Sequence, residues 1–383
     1  MDSAPGPAGL AVRLTTGLRH LTVGGLDEAE RDVLERDWSR CDPLRAPSVD
    51  EADVVRGDVA AGRGWDAFHE HLVHRATAQA VASARGTHLM FHGACLALPA
   101  TGAAVVLAAA SGTGKTTATR LLGREMAYLT DETAVVDPDG LRVVPYPKPL
   151  SLLGPEGRRP KRQAGPDELG LGPAVDARVR CVAVLDRVRD PGGPVTARAE
   201  RFELVDALAE LVPQTSSLAR LPRGLVALCH TLDRLGGARR LVYAEAADLR
   251  PVLEDLLTSE PTPLEPVWFP LPQDSLAPSA DRPALEGPGT EDEAYRRRGA
   301  ACGVGLDDGR VALLVGERLV VLDGIGPVLW ELLEEPRTTA DLIEGLAAWG
   351  PLPPDAPRQV DVAVAELGTL GLVHRGQDAP DPA

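Results

Sequence analysis

The apolar positions of the first 257 residues alternate between strand-like runs and helix-like spacing, which predicts a mixed α/β domain. Residues 9–60 are predicted to form a β-rich opening that includes one acidic helix. Over 64–86, apolar side chains recur every three or four residues, and Gly86 follows where a glycine would end the helix. The positions that carry this helical spacing are Trp65, Phe68, Leu72, Val73 and Ala80.

The next segments predict strands on both sides of a glycine-rich turn. Residues 87–112 contain two apolar strands, and 127–137 and 179–188 each predict one more. The second strand of 87–112 runs directly into the glycine-rich turn, and an amphipathic helix follows that turn. From 199 to 257, two helical patterns surround a further strand. The order of strand, glycine-rich turn, helix and strand is the one that a phosphate-binding α/β core requires.

The C-terminal part of the chain differs in composition and pattern. Periodicity stops over 258–298, where proline, serine and acidic residues predict an extended linker, although Val267, Trp268 and Phe269 could anchor it to a domain surface. Residues 299–376 then predict three short strands followed by three helices, and 377–383 form a tail. The sequence therefore predicts an α/β core over 1–257, a linker, and a small α+β domain.

Composition excludes several classes of function. A formal net charge of −16 argues against nucleic acid and anionic membranes as partners, because binding them requires clustered positive charge. No apolar run approaches the roughly 20 residues that span a bilayer, and the N-terminus lacks a signal-peptide pattern. The 5 cysteines include no CxxC pair, so neither a disulfide framework nor a zinc site is indicated. We expect a cytoplasmic protein.

Lysine and histidine positions refine the picture. Basic residues are nearly all arginine, and the chain's only lysines, Lys115, Lys148 and Lys161, lie within 47 residues that begin at the glycine-rich turn. The lysine ammonium groups are therefore predicted to have a role there that the planar guanidinium of arginine cannot fill. The segment HEHLVH over 69–74 lacks the HExxH spacing of zinc enzymes, so His71 and His74 are expected on the helix surface.

The glycine-rich turn nearly matches the phosphate-loop pattern GxxxxGK[ST]. Its last positions are Gly114, Lys115 and Thr116, whereas Ala109 stands where the pattern begins with glycine. Backbone N–H groups at the start of the following helix would bind phosphate oxygens, Lys115 would reach the β and γ phosphates, and Thr116 would bind Mg²⁺. The predicted nucleotide-binding residues are Ser111, Gly112, Thr113, Gly114, Lys115, Thr116 and Thr117.

Around this loop the sequence resembles the HPr kinase/phosphorylase family and its shorter relatives in peptide-modifying gene clusters. The resemblance rests on His92-Gly93 before the loop, SGTGKT within it, and Asp131-Glu132 at the end of the next strand, where the family more often has two aspartates. It covers roughly residues 65–190 and implies an HPr-kinase-like α/β P-loop core. The block that follows the acidic pair in true HPr kinases is missing, so HPr is not the expected substrate.

Phosphoryl transfer to a hydroxyl requires positioning, charge stabilisation and one carboxylate that accepts the proton. Asp131 is the predicted base, and Glu132 or Asp131 would complete the magnesium site with Thr116. The family resemblance implies that His92 lies beside the transferred phosphate. A solvated strand end for the acids and a core position for the histidine are the structural alternatives.

Three further basic or acidic features lie close to this motif. Lys148, between two prolines, is predicted to aim its ammonium at a substrate phosphate or peptide, and Arg187 is assigned the same role. Asp186-Arg187 would otherwise only cap their strand. The basic segment 157–163 could guide an acidic peptide or a nucleotide, or form a solvated loop.

The C-terminal domain resembles the PqqD family, winged-helix modules that recognise leader peptides of ribosomally made natural products. The resemblance rests on three strands before three helices and on the segment PRTTADLIEGLAA over 336–348. It implies that a leader peptide adds to the edge strand and enters a neighbouring helix groove. The predicted edge and groove residues are Arg318, Leu319, Val320, Val321, Leu322, Val362 and Leu367.

Together these features predict an ATP- or GTP-dependent, Mg²⁺-requiring kinase that phosphorylates a Ser or Thr of a precursor peptide captured by its leader. Other enzymes of the same pathway are possible further partners. Two other hypotheses remain open: a nucleotide-gated peptide chaperone or scaffold without phosphotransfer, and a small-molecule kinase. A DNA-binding winged helix is disfavoured, because the segment VDVAVAELGTLG has two acidic and no basic residues.

Overall fold

The computed structural model describes residues 9–46, 52–59, 64–110, 113–154, 157, 159–189, 192–279 and 294–375. Ser111, Gly112 and the predicted tail lie outside this part of the chain. Contacts divide the chain into two compact units, one of Met1–Leu221 with His230–Leu264 and the other of Pro222–Cys229 with Glu265–Ala383. Both units combine helices with β-sheets, so the protein has a mixed α/β fold. Among the described helices, none has the length and apolar character that crossing a bilayer demands.

The first unit begins with a small sheet covered by helices. Its strands have the order β3-β1-β2-β4. Helix α1 begins with a capping box in which the side chains of Asp27 and Glu30 each accept from the other residue's backbone N–H. The elements are β1 (Leu10–Thr16), β2 (Arg19–Leu26), α1 (Glu28–Asp37), β3 (Leu44–Ala46), β4 (Val54–Val55), α2 (Arg56–Val59) and α3 (Trp65–Ala84).

The helix predicted over 64–86 is α3. It buries Phe68, Leu72, Val73 and Ala80 against this sheet, because residues three and four apart lie on one helix face. Gly86 follows the helix with φ +79°. The predicted periodicity is confirmed.

The central sheet of the first unit positions the phosphate loop. Its order is β13-β14-β12-β6-β5-β8-β9, with β7 also paired to β5. Strands β14, β12 and β6 are parallel, whereas β5 runs antiparallel to β6. The strands are β5 (Leu89–Ala97), β6 (Ala103–Ala108), β7 (Ala127–Thr130), β8 (Thr133–Val136), β9 (Val143–Val144), β12 (Arg178–Arg187), β13 (Arg198–Arg201) and β14 (Arg239–Tyr243).

Helices and one hairpin complete this layer. Leucine and valine side chains of β6, β12 and α7 form its main core. The elements are α4 (Lys115–Leu122), β10 (Leu150–Leu152), β11 (Arg162–Ala164), α5 (Leu204–Leu211) and α7 (Leu249–Thr258). Helix α6 (Gly224–Arg234) begins in the segment that is grouped with the second unit.

The single strand predicted over 127–137 is two strands. Asp131 and Glu132 form the turn between β7 and β8, and both strands pair with β5. The pairing changes near Gly93, whose N–H donates to the carbonyl of Glu132 at 3.0 Å. The acidic pair therefore ends β7 and lies beside the middle of β5.

The second unit has a four-stranded antiparallel sheet with the order β15-β17-β18-β19 and three helices. Its strands and helices follow the predicted order of three strands and three helices. Three additional strands are present. β15 and β16 lie inside the segment predicted as a linker, where Trp268 of β15 pairs with Leu306, and β16 pairs with β20, which follows the last helix. The elements are β15 (Trp268–Pro270), β16 (Tyr295–Arg297), β17 (Cys302–Leu306), β18 (Val311–Val315), β19 (Arg318–Leu322), α8 (Gly326–Leu332), α9 (Thr339–Ala347), α10 (Ala356–Thr369) and β20 (Val373–Arg375).

Candidate functional site

The phosphate loop, residues 109–117, connects the end of β6 to the start of α4. Gly114 is the residue before the helix and has φ +100°, a conformation that favours glycine, and no side chain caps the helix. Ala109 is buried and does not adopt a positive φ, so alanine fits where the sequence pattern expects glycine. The Lys115 ammonium donates to the carbonyl of Ala109. The Thr113 hydroxyl donates to the carbonyl of Ala110 at 2.8 Å.

The strand before the loop brings His92 next to it. A Cβ on Gly93 would lie 2.5 Å from the Leu107 carbonyl oxygen, so only glycine lets β5 approach β6 this closely. The preceding His92 lies in the middle of β5, near the end of β6, and lines a cavity there. Burial, with the charge of Lys115 acting in the same direction, lowers the pKa of His92. Its imidazole is therefore neutral at pH 7.

The acidic turn faces the same cavity as the phosphate loop. This cavity has a volume of about 660 Å³ and is lined by Lys115, Thr116 and Thr117 from the loop and by Asp131 and Glu132 from the turn. The structure thus brings the predicted base, the predicted magnesium ligands and the phosphate-loop lysine into one cleft. They come from two segments, the phosphate loop and the acidic turn, which α4 and β7 separate in the sequence.

Lys148 lies beneath the acidic turn and does not point freely toward the cavity. Its side chain is 1% exposed, and its ammonium donates to Asp131 Oδ1 at 2.8 Å and Glu132 Oε2 at 3.0 Å. A third hydrogen bond goes to the Pro149 carbonyl at 3.1 Å. Because an ammonium has three N–H groups, these acceptors use all of them. The predicted contact of Lys148 with a substrate phosphate is therefore replaced by an ion pair with the two acids.

The charged groups of this cluster stabilise one another's ionised forms. Burial alone would lower the pKa of Lys148, but Asp131 and Glu132 outweigh it and raise the pKa above the usual lysine value. Burial acts to raise the pKa of Glu132, yet the Lys148 ammonium more than offsets it, and the pKa lies below the usual value. The single proton of the Tyr128 hydroxyl is shared between two acceptors, the Lys148 carbonyl at 2.9 Å and Asp131 Oδ1 at 3.3 Å. Glu132 and Lys148 are both charged at neutral pH.

Burial also lowers the pKa of Lys115, while Asp131 and Glu132 act in the opposite direction. The ammonium is half-buried at the cavity wall. A dianionic or trianionic ligand in the cavity would favour its charged form, because an opposite charge nearby stabilises the ammonium.

Further basic residues line the cavity, and two of them belong to the basic segment 157–163, for which the sequence left a guiding role and a solvated loop open. The run GRRPKRQ contributes Arg159 and Lys161, α4 contributes Arg120, and α3 contributes His74. Arg159 also pairs with Glu70 at 3.1 Å. The clustering of the three lysines in the sequence was the signal that could have indicated this cavity. Lys115 and Lys161 line it, and Lys148 lies beneath Asp131 and Glu132.

Arg187 lies on the other side of the phosphate loop. It ends β12, and its Nε donates to the Ala244 carbonyl at 3.0 Å. A Cβ on Gly114 would lie 4.0 Å from its Nη1. Arg187 is therefore close to the loop but does not line the cavity that holds the acidic turn.

In the second unit, β19 is at the end of its sheet and pairs only with β18 among the described strands. Leu319 and Val321 are half-buried and Arg318 is exposed, whereas Val320 and Leu322 point into the core. These two side chains cannot contact a peptide at the surface, although their backbones lie in the edge strand.

The two groove positions on α10 differ in exposure. Val362 is 51% exposed, whereas Leu367 is buried with Val360 and Val364 in the core of the second unit. The prediction that Leu367 forms a groove wall is wrong, because it belongs to the helix face that packs inward. Val362 remains available on the surface.

Metal-binding side chains do not cluster in the described residues: no three His, Cys, Asp or Glu are grouped to hold an ion there. His69 of the HEHLVH segment is buried and accepts from Trp38 Nε1 at 2.8 Å, and burial lowers its pKa to about 3. His71 is half-buried and His74 is exposed on α3. All five cysteines are free and buried.

Comparison with solved structures found similar chains. The chain is similar to the Hpr(Ser) kinase/phosphatase from Coxiella burnetii, with 13% sequence identity, a TM-score of 0.24, and coverage of 44% of this chain and 93% of that chain. No protein-family model matches the sequence, and no curated protein is significantly similar to it.

Proposed function

We propose that this protein is a nucleotide-dependent kinase that phosphorylates a Ser or Thr hydroxyl of a ribosomally made precursor peptide. The observation that carries the proposal is the shared cavity, in which Lys115 and Thr116 of a phosphate loop face Asp131 and Glu132. A cation and helix N–H groups bind phosphates, and a carboxylate accepts a hydroxyl proton. Both requirements meet in one cleft.

The side chains present fit a magnesium nucleotide. Mg²⁺ binds oxygen ligands, usually one or two carboxylates together with substrate phosphates and waters. Thr116, Asp131 and Glu132 supply this type of donor, and the ion pair with Lys148 keeps Glu132 ionised. A bound magnesium nucleotide, ATP or GTP, would supply the phosphoryl group.

Each side chain then has a separate task in the transfer. Lys115 and the start of α4 hold and neutralise the phosphates, and Asp131 accepts the proton of the acceptor hydroxyl. Both described hydrogen bonds to Asp131 use Oδ1, from Lys148 and Tyr128. These bonds fix the orientation of the carboxylate. His92 is neutral and borders the cavity, where it can donate or accept one hydrogen bond.

The peptide substrate is proposed from the second unit. Its edge strand β19 has backbone groups on one side without a neighbouring strand in the described structure, and such an edge can accept an extended peptide. We propose that a leader peptide binds there in the manner of PqqD-like winged-helix modules. Tethering would raise the local acceptor concentration to about millimolar, so the cavity need bind the acceptor only weakly.

Incubation of the full-length protein with MgATP or MgGTP and a short peptide encoded beside its gene tests this proposal. We expect one added phosphate by mass spectrometry, located on a Ser or Thr by fragmentation, and none with Lys115→Ala. Val362→Asp, an exposed groove change, should slow phosphorylation of the leader-bearing peptide but not of the leaderless core.

The matched control is Leu44→Asp in β3 of the first unit, because Leu44 is 53% exposed, close to the 51% of Val362, and does not line the cavity. Nucleotide binding without any phosphopeptide would instead support the scaffold hypothesis. Phosphorylation of the leaderless core that equals that of the full precursor would contradict leader recruitment.

A further inference from the structure

The hydroxyl of Tyr243 is buried without a hydrogen-bond partner. Tyr243 ends β14, its side chain is 1% exposed, and its Oη has no partner within the described part of the chain. Leaving a buried hydroxyl unpaired is unfavourable, and most buried polar groups in proteins are paired. Burial raises the pKa of Tyr243, so the hydroxyl keeps its proton and is a hydrogen-bond donor. A donor of this kind fits a ligand that brings an acceptor.

The unpaired hydroxyl lies against the phosphate loop. A Cβ on Gly114 would be 3.7 Å from Tyr243 Oη. Gly114 precedes the eight residues of α4, whose first backbone N–H groups have no side-chain cap. Uncapped N–H groups at a helix start attract anions. The uncapped N-terminus of α4 and the unpaired Tyr243 hydroxyl are therefore two independent features that lie next to each other.

Arg187 adds a positive charge at this point. It lies directly opposite Tyr243 in the parallel pairing of β12 with β14. Its Nε is held by the Ala244 carbonyl at 3.0 Å, and its Nη2 lies 3.8 Å from Glu245. Its Cδ and Nη1 are the atoms 3.9 and 4.0 Å from a Cβ on Gly114. The anchored guanidinium thus presents its remaining nitrogen toward the loop.

The order of the strands separates this pair from the reacting groups. Strand β6, which leads into the phosphate loop, lies between β5 and β12. His92 and the acidic turn are on the β5 side, where transfer is proposed to occur. Tyr243 and Arg187 are on the β12 and β14 side. A nucleotide whose terminal phosphate faces Asp131 therefore extends its inner phosphates toward Tyr243.

We propose that Tyr243 donates a hydrogen bond to the diphosphate portion of the nucleotide, the portion that remains after transfer, with Arg187 contributing charge. This inference rests on the proposed nucleotide site and assigns Tyr243 to the part of that site that holds the diphosphate product. The contact is the same before and after transfer. It therefore stabilises nucleoside di- and triphosphate equally and affects KM for the nucleotide but not kcat.

Titration of full-length wild type and Tyr243→Phe with MgADP, MgATP and magnesium pyrophosphate tests the inference, with guanine nucleotides in parallel. We expect about tenfold weaker binding of all three by Tyr243→Phe, the loss typical of a hydrogen bond to a charged acceptor. The Tm of the nucleotide-free variant should be unchanged or higher, because the substitution removes only an unpaired buried hydroxyl. Tyr295→Phe in the second unit is the matched control and should bind all three ligands normally.

The outcomes separate this inference from the proposed function. Failure of wild type to bind any nucleotide overturns the proposed function and this inference with it. Normal wild-type binding with unchanged Tyr243→Phe binding overturns the inference alone. Weakening of ATP but not ADP, or of nucleotides but not pyrophosphate, also overturns it, since the contact would then be to the terminal phosphate or the nucleoside. A lower Tm of the nucleotide-free variant would assign the hydroxyl a structural role.

Discussion

Replacing Lys148 with methionine is expected to lower the free energy of unfolding by about 3–5 kcal/mol, the usual cost of removing one partner of a buried ion pair. Methionine keeps most of the apolar volume of lysine, so the loss of stability measures the effect of removing the positive charge. Asp131, whose side chain is 5% exposed, would remain buried without its cation, and Glu132, which is 30% exposed, would remain partly buried without it. Urea unfolding in EDTA at pH 7 measures the effect.

The control for Lys148→Met is Lys161→Met at the rim of the same cavity, which should change stability by less than about 0.5 kcal/mol. Adding Asp131→Asn and Glu132→Gln to Lys148→Met should recover most of the loss, because the uncompensated charges are then gone. A Lys148→Met protein as stable as wild type would contradict the buried ion-pair cluster.

The same cluster predicts a pH window. The lowered pKa of Glu132 contributes stability above its ordinary value of 4.5, and this contribution is lost as pH falls through the lowered pKa. The raised pKa of Lys148 contributes stability below its ordinary value of 10.5, which is lost only at higher pH. The stability gap between wild type and Lys148→Met should therefore be largest between these values and narrow on acidification below 4.5.

Asp131→Asn is expected to lower kcat for peptide phosphorylation by about 10²–10⁴-fold, the usual contribution of a general base. Asparagine has nearly the same shape but cannot accept the hydroxyl proton. Initial rates with saturating nucleotide and peptide, followed by mass spectrometry, measure the loss. Circular dichroism checks that the variant is folded.

Asp139→Asn, an exposed acid in the loop after β8, is the matched control and should leave kcat unchanged. A variant Asp131→Asn that keeps more than about a tenth of the wild-type kcat would remove Asp131 from the role of base.

Local patterns predicted much of the fold around the site. The order of β5, β6, phosphate loop, α4 and β7 follows from apolar runs, the glycine-rich turn and one amphipathic segment, all of which are local signals. The strands of two to four residues in the N-terminal sheet and at β13 were not predicted individually, because so short a run has no distinctive period. The break at Asp131 was also missed, since apolar residues flank it on both sides.

The contacts inside the site depend on the tertiary fold and could not be predicted. Lys148 is 16 and 17 residues from the acids it pairs with, and nothing in YPKPL indicates that its ammonium is buried. Tyr243 has no motif, and only the sheet order brings it to Gly114. Leu367 is different, because its spacing from Val360 and Val364 follows the helix period and could have indicated a core position.

The central claim is that the phosphate loop and the acidic turn form one magnesium-dependent nucleotide site. Calorimetric titration of the full-length protein with ATP and GTP, in Mg²⁺ and in EDTA, tests it most directly. We predict binding in Mg²⁺ that weakens at least about tenfold in EDTA, with the dependence on Mg²⁺ lost in Asp131→Asn/Glu132→Gln and binding abolished by Lys115→Ala. Binding that ignores both Mg²⁺ and Lys115, or no binding by wild type, would contradict the account.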